Sequence, residues 1–323
     1  MSKNKKTQTK NTKKKKIDWK KYNEALVKRG EITVYIDGDT EKGWHISPKN
    51  NKTGRPKKYS NSAIQLTLQF GKVFHQKLRQ TEGLVRSIFQ ALNLDLEVPD
   101  YSTLSRRLSS LNIKINKAIT DNSPKEDLVI IMDSTGLKIF GEGEWKVRKH
   151  GWSKHRTWRK AHIAITPDGQ VIASRLTGNN VSDSEVFIDL IGKETLPIGT
   201  VSADGAYDTK GVYDTCIEKG IHTVLIPPQR NAKIWKHGNC KNTPHPRDIN
   251  LRQIRKSTRK KWKESVGYHI RSLSETAMFR FKTIFGDKLN SRKFKNQQNE
   301  FLIAIAAMNK MTNLGMPSSC ITE

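Results

Sequence analysis

The chain has 323 residues, 35% of them hydrophobic, enough for one large domain or two of ordinary size around a real core. Fifty-nine Lys and Arg against 31 Asp and Glu give a formal charge of +28, far more than solubility requires, which points to a polyanionic partner with nucleic acid first. Charge alone leaves a ribosomal partner or an acidic membrane surface open, so the chemistry has to come from motifs. Cys216, Cys240 and Cys320 lie too far apart for a disulfide framework, and the longest apolar run, 301–308, is too short to span a bilayer; a soluble, cytoplasmic protein with no membrane partner is expected.

Residues 1–52 read as a basic, largely disordered tail and linker, with ten lysines and one acid in the first 21 positions. Gly54, Arg55 and Pro56 have the composition of a minor-groove hook. Residues 53–123 read as a helical DNA-binding region with helices near 60–74, 81–92 and 101–111. The third helix carries Arg106 and Arg107, and with the second it suits either a helix-turn-helix or a helical subdomain packed on the next domain.

After Pro124 the pattern changes to strands and helices. Residues 127–133 form a continuous apolar run, and 161–165 and 170–176 alternate around Pro167, Asp168 and Gly169 as a hairpin. A helix over 182–191 opens with the capping-box spacing of Ser182 and Glu185. Strand 201–204, helix 209–218 and strand 223–226 follow, stopped by Gly205, Gly220 and Pro227 in turn. Three strands, helix, strand, helix, strand is the order of an RNase H-like α/β domain, so a mixed five-stranded sheet with helices is expected over 124–290. Residues 229–265 break the rhythm as a basic insertion containing Trp235 and Trp262; His237, Cys240 and His245 lack a fourth zinc ligand there and read as loop. A second basic stretch, 146–160, includes Arg148 and Lys149 among Trp145, Trp152 and Trp158, an interleaving that suits DNA strands with exposed bases. Helices over 267–285 and 300–312 close the chain, with 291–323 as a C-terminal helix and tail.

In that topology Asp133 and Asp204 end neighbouring strands in the middle of the sheet, and Glu275 lies on the helix that packs across it. Three converging carboxylates are hard oxygen ligands for a pair of divalent ions, the equipment of phosphodiester chemistry; the bland alternative makes each acid a helix cap or strand end. On a continuous helix Tyr268, Arg271, Glu275 and Lys282 fall within about 60° of one another. A carboxylate flanked by two cations and a phenol suits a DNA backbone at a cleavage site, and a solvated charged face is its rival.

The ordered strings Gly54-Arg55-Pro56, Leu78-Arg79-Gln80-Thr81-Glu82-Gly83, Met132-Asp133-Ser134-Thr135-Gly136-Leu137-Lys138 and Asp204-Gly205-Ala206-Tyr207-Asp208, with the Tyr-Arg-Glu-Lys face, resemble the DDE transposases of bacterial insertion sequences, particularly the insertion sequence 5 family. The resemblance implies that Asp133, Asp204 and Glu275 are the catalytic, metal-binding triad for two Mg2+ ions, with Mn2+ able to substitute. It also implies nicking of double-stranded element ends, joining of the 3′-hydroxyls to target DNA, and a homodimer or higher assembly at paired ends in the bacterial nucleoid. A nuclease of the same fold that never joins, and a non-catalytic DNA-binding regulator derived from a transposase, are the alternatives.

Overall fold

The computed structural model describes residues 18–31, 36, 41–46, 56–113, 115, 127–139, 158–236 and 244–315. Its sheet is built around β1 (Leu128–Ile139), whose alternating side chains feed two cores. β2 (Trp158–Ile165) and β3 (Val171–Thr177) pair antiparallel on one side of β1, and β4 (Ile198–Ser202) and β5 (Thr223–Leu225) pair parallel on the other, in the order β3-β2-β1-β4-β5. This is the RNase H-like α/β arrangement. A sixth strand, β6 (Lys288–Leu289), pairs parallel with the far end of β1, so the sheet has six strands and not five. Two residues are too few to leave a periodic signal, and the pairing joins segments 150 positions apart.

Ile130 and Met132 face one side with α5 (Asp183–Gly192) and α6 (Lys210–Glu218), where Phe187, Val212 and Tyr213 complete a core. Ile131, Ile163 and Ile165 face the other side, against α9 (Ser272–Phe285) and α10 (Phe294–Leu314). The α5 cap forms as its spacing predicts: the Ser182 hydroxyl oxygen accepts from the Glu185 N–H at 3.2 Å and donates to Glu185 Oε1 at 2.8 Å.

Before the sheet come α1 (Trp19–Lys28), α2 (Asn61–Val73), α3 (Leu78–Ala91) and α4 (Tyr101–Leu108). Gly71 lets α2 and α3 touch, since a Cβ there would lie 2.3 Å from Thr81 Oγ1. Within the segment 1–52, α1 is capped by Asp18, and Trp44 is buried against Phe89, its indole N–H donating to Glu97 O at 2.7 Å. The C-terminal helix α10 is buried continuously over 303–309, between the sheet and α2. The helical region and the sheet therefore share a core through α10, and α2 to α4 pack against it.

Within the insertion, α7 (Pro246–Lys256) and α8 (Arg259–Ser265) are helical. Gly267 then takes a left-handed conformation, φ 69°, and starts a 3-10 turn (Tyr268–Arg271) that leads into α9. The expected single helix from Gly267 is thus two pieces, and Tyr268 does not keep the angular place an α-helix would give it.

Candidate active site

Register brings the two aspartates together. The β1–β4 ladder ends with Ile131 opposite Ser202. Two residues further along each chain stand Asp133 and Asp204. β1 does not stop at Asp133, as expected, but runs on to Ile139, and β6 takes up its edge only at Lys138. Between these ladders the edge of β1 has no strand neighbour among the described residues, and that gap is where the acids sit.

Asp204 caps the 3-10 turn Gly205–Tyr207, its Oδ1 accepting from the Ala206 N–H at 2.8 Å. Asp133 Oδ1 accepts from the Ser134 N–H at 2.8 Å; its Oδ2 accepts from Arg271 and from the Ser274 hydroxyl, both at 3.1 Å. Burial raises the Asp133 pKa, the Ser134 N–H, Arg271 and Ser274 work against that rise, and the charge of Asp204 adds to it. Arg271 also binds Glu275, which stands exposed in the first turn of α9. One guanidinium therefore joins Asp133 and Glu275. Ser274 carried no sequence signal, since a serine within an amphipathic helix reads as filler.

Among the described residues no three His, Cys, Asp or Glu side chains gather into a ready cation cage. Arg271 lies between Asp133 and Glu275 and pairs with both. The donor set nevertheless suits a hard divalent cation: all three side chains are carboxylates, two of them repel one another, and a cation already neutralises part of that charge.

Behind the acids lies a buried polar wall. The Tyr207 hydroxyl has no hydrogen-bond partner among the described residues, and burial first, then the charges of Asp183, Asp133 and Asp204, raise its pKa and keep it a neutral phenol. His162, fully buried, has Nε2 2.9 Å from Thr177 Oγ1 and Nδ1 3.5 Å from Asp183 Oδ1. Desolvation lowers its pKa to about 4. Lys160 Nζ donates to Asp183 at 3.2 Å and to Val181 O at 3.1 Å.

Two family models, both described as a transposase DDE domain, match residues 27–142 and 124–310. The chain belongs to the DDE transposase family. Among solved structures, the Drosophila P element transposase strand transfer complex matches at 13% identity over 80% of this chain and 81% of that one, with a TM-score of 0.28.

In this DDE transposase the expected DNA-contacting residues divide. Arg106 is exposed, and its guanidinium donates to Ser102 Oγ at 3.0 Å. Arg107 is buried instead, donating to Tyr59 O at 2.9 Å and Asn61 Oδ1 at 2.6 Å, so it braces α4 against the start of α2. Trp262 is 1% exposed and packs near Tyr268, which serves the fold and leaves no ring face for a base. Tyr268 is buried too; its hydroxyl donates to Ala203 O at 3.1 Å and ties the turn before α9 to the end of β4, beside Asp204. Burial pushes that phenol up to about 12. Lys282 is half-buried within electrostatic reach of Asp287, and Arg271 is placed on the acids themselves. Arg148 and Lys149 lie outside the described residues, as do Arg55, His237 and Cys240.

The DDE transposase insertion is fastened to the sheet domain by a pair that sequence reasoning missed. Arg247 Nε donates to Asp208 Oδ1 at 2.6 Å, and its NH2 to Oδ2 at 3.2 Å, with both side chains almost wholly buried. The same guanidinium lies 3.9 Å from the centre of the Trp235 ring, so one face of that half-exposed indole is taken. His245 caps α7 by accepting from the Arg247 N–H. Among the described residues no helix is long and apolar enough to cross a membrane.

Proposed function

We propose that this chain is a DNA transposase of the insertion sequence 5 group that nicks the ends of its element by metal-assisted hydrolysis and joins the freed 3′-hydroxyl ends to target DNA. The observation that carries this reading is the placement of Asp133 and Asp204 at the break in the β1 ladder, with Glu275 tied to Asp133 through Arg271. Asp133, Asp204 and Glu275 would hold two Mg2+ ions, or Mn2+ in their place; bound there, the ions supply positive charge for the attacking and leaving oxygens of a phosphodiester. Ser134 N–H and Ser274 hold the Asp133 carboxylate in one orientation, and Tyr268 keeps the α9 entrance against the end of β4. Arg271, with a planar fork suited to phosphate, would orient the scissile group beside the acids it pairs with. The surplus of 28 positive charges supports double-stranded DNA as substrate; a bacterial nucleoid as its setting and two copies at paired ends belong to the same proposal.

The deciding experiment supplies intact element ends and, in parallel, precut ends with a 3′-hydroxyl, together with target plasmid and Mg2+. A transposase gives covalently joined product. Cleavage of intact ends without any joining would make the protein a hydrolytic nuclease of the same fold, and binding with neither reaction would make it a regulator.

A further inference from the structure

A groove of about 820 Å³ opens between the α2–α3 junction, α4 and the segment that joins β6 to α10, well apart from the acids. Its size lies within the range of about 300–1,000 Å³ usual for small-ligand sites. Leu68, Leu78, Leu108 and Ile303 give it an apolar floor. Four cations, Lys72, Lys77, Arg79 and Arg292, stand around it against one carboxylate, Glu300, which Lys72 already pairs at 2.8 Å. At the mouth the Arg79 guanidinium lies 4.8 Å from the centre of the Tyr101 ring, and that tyrosine is 41% exposed. Amide side chains line the wall, and Asn296 Oδ1 is buried there without a hydrogen-bond partner among the described residues.

An apolar floor, an aromatic ring, amide edges and excess positive charge are the complements of a nucleotide: a ring to stack, base-edge donors to bond and a phosphate to neutralise. A buried carbonyl oxygen without a partner costs free energy until a donor reaches it, and an exocyclic amine of a base is such a donor. The groove is joined to the acids by a short path along the chain. From Asp133 to Lys138 is five residues of β1, roughly 17 Å, and Lys138 pairs with Lys288, two residues before Asn290 at the groove. The distance from the acids is therefore on the order of 20 Å, or about six base steps.

We propose that this groove receives one unpaired nucleotide of the DNA bound at the acids, extruded from the duplex about six steps from the scissile phosphate. The inference rests on the transposase reading only in taking DNA as the bound polymer. Stacking on Tyr101 and bonding to Asn296 select an unstacked base, and Arg79 and Arg292 hold its phosphates.

The test uses the full chain and two fluorescent duplexes, one fully paired and one with a single bulged 2-aminopurine. Wild-type protein should bind the bulged duplex at least about fivefold tighter, with a change in 2-aminopurine emission. Tyr101→Ala and Asn296→Leu should lose that preference while keeping paired-duplex affinity within about twofold. Ser105→Trp, which fills the groove from its exposed rim, should do the same; melting curves show that each variant folds. Equal affinity for both duplexes, or a preference that survives in all three variants, overturns the proposal and leaves the transposase reading intact. No affinity for either duplex overturns both. A dimer of the DNA-free protein that Ser105→Trp dissociates would give the groove to a second copy and overturn the nucleotide assignment.

Discussion

Replacing Arg247 by Met tests how the insertion is held. The methionine approximates the arginine stem but removes two bonds to Asp208 and one, at 2.8 Å, to Lys233 O. Asp208 is then left buried, with the Gln229 N–H at 3.0 Å as its remaining backbone donor. An unpaired buried charge costs about 3–5 kcal/mol, which exceeds any packing the methionine keeps. Asp208→Asn alone strands the arginine and should cost a comparable amount. The double variant buries neither charge, and the amide oxygen that Asp208→Asn introduces can still accept from the Gln229 N–H, so it should be more stable than the sum of the singles by about 2 kcal/mol or more. Urea unfolding of the four proteins gives this coupling, and limited proteolysis within 229–265 shows whether the insertion opens first. Arg247→Met within about 1 kcal/mol of wild type, or additive single effects, would refute the anchoring argument.

His162 should make stability depend on pH. Its pKa falls from 6.5 in the unfolded chain to about 4 in the fold, so the unfolded state binds the extra proton between those values. Stability is therefore complete above pH 6.5 and falls by ~3 kcal/mol as the pH drops to about 4. Urea curves of His162→Leu should lack this step in the window, and an unchanged slope would sink the claim. Arg271→Ala should lower cleavage turnover at saturating DNA by about a hundredfold or more, and Lys282→Ala by about tenfold or less, because only Arg271 touches two of the acids. Overall DNA affinity should change little in either, and unaltered turnover in both would make that face plain solvated surface.

Much of this was legible because the signals were local. The apolar run before Asp133, the Ser182 and Glu185 spacing, and the glycines after strands and helices each act within a few residues, and their order gives the sheet. The aspartates followed from topology, since parallel neighbours set side by side whatever lies two positions past their last pair. What stayed hidden depends on contacts across the chain. Arg107 and Arg247 look like any surface arginine until Tyr59, Asn61 and Asp208 are found around them. Trp44 sits in a polar stretch with no periodicity, yet α3 covers it. The break at Gly267 is invisible to a wheel that assumes one continuous helix, which turns Tyr268 toward DNA although it bonds Ala203. Trp262 is hidden in a similar way, as a tryptophan among lysines suits stacking or packing equally well until its burial is seen.

The central claim is that Asp133, Asp204 and Glu275 act as one metal-dependent site for DNA strand cleavage and joining. The direct measurement compares wild type with Asp133→Asn, Asp204→Asn and Glu275→Gln for nicking and strand transfer in Mg2+ and in Mn2+, alongside DNA affinity in the same buffers. Each change keeps side-chain shape and removes an anionic oxygen ligand, so both reactions should vanish while affinity stays within a few-fold. Cleavage at the wild-type rate by any one of the three would contradict the account.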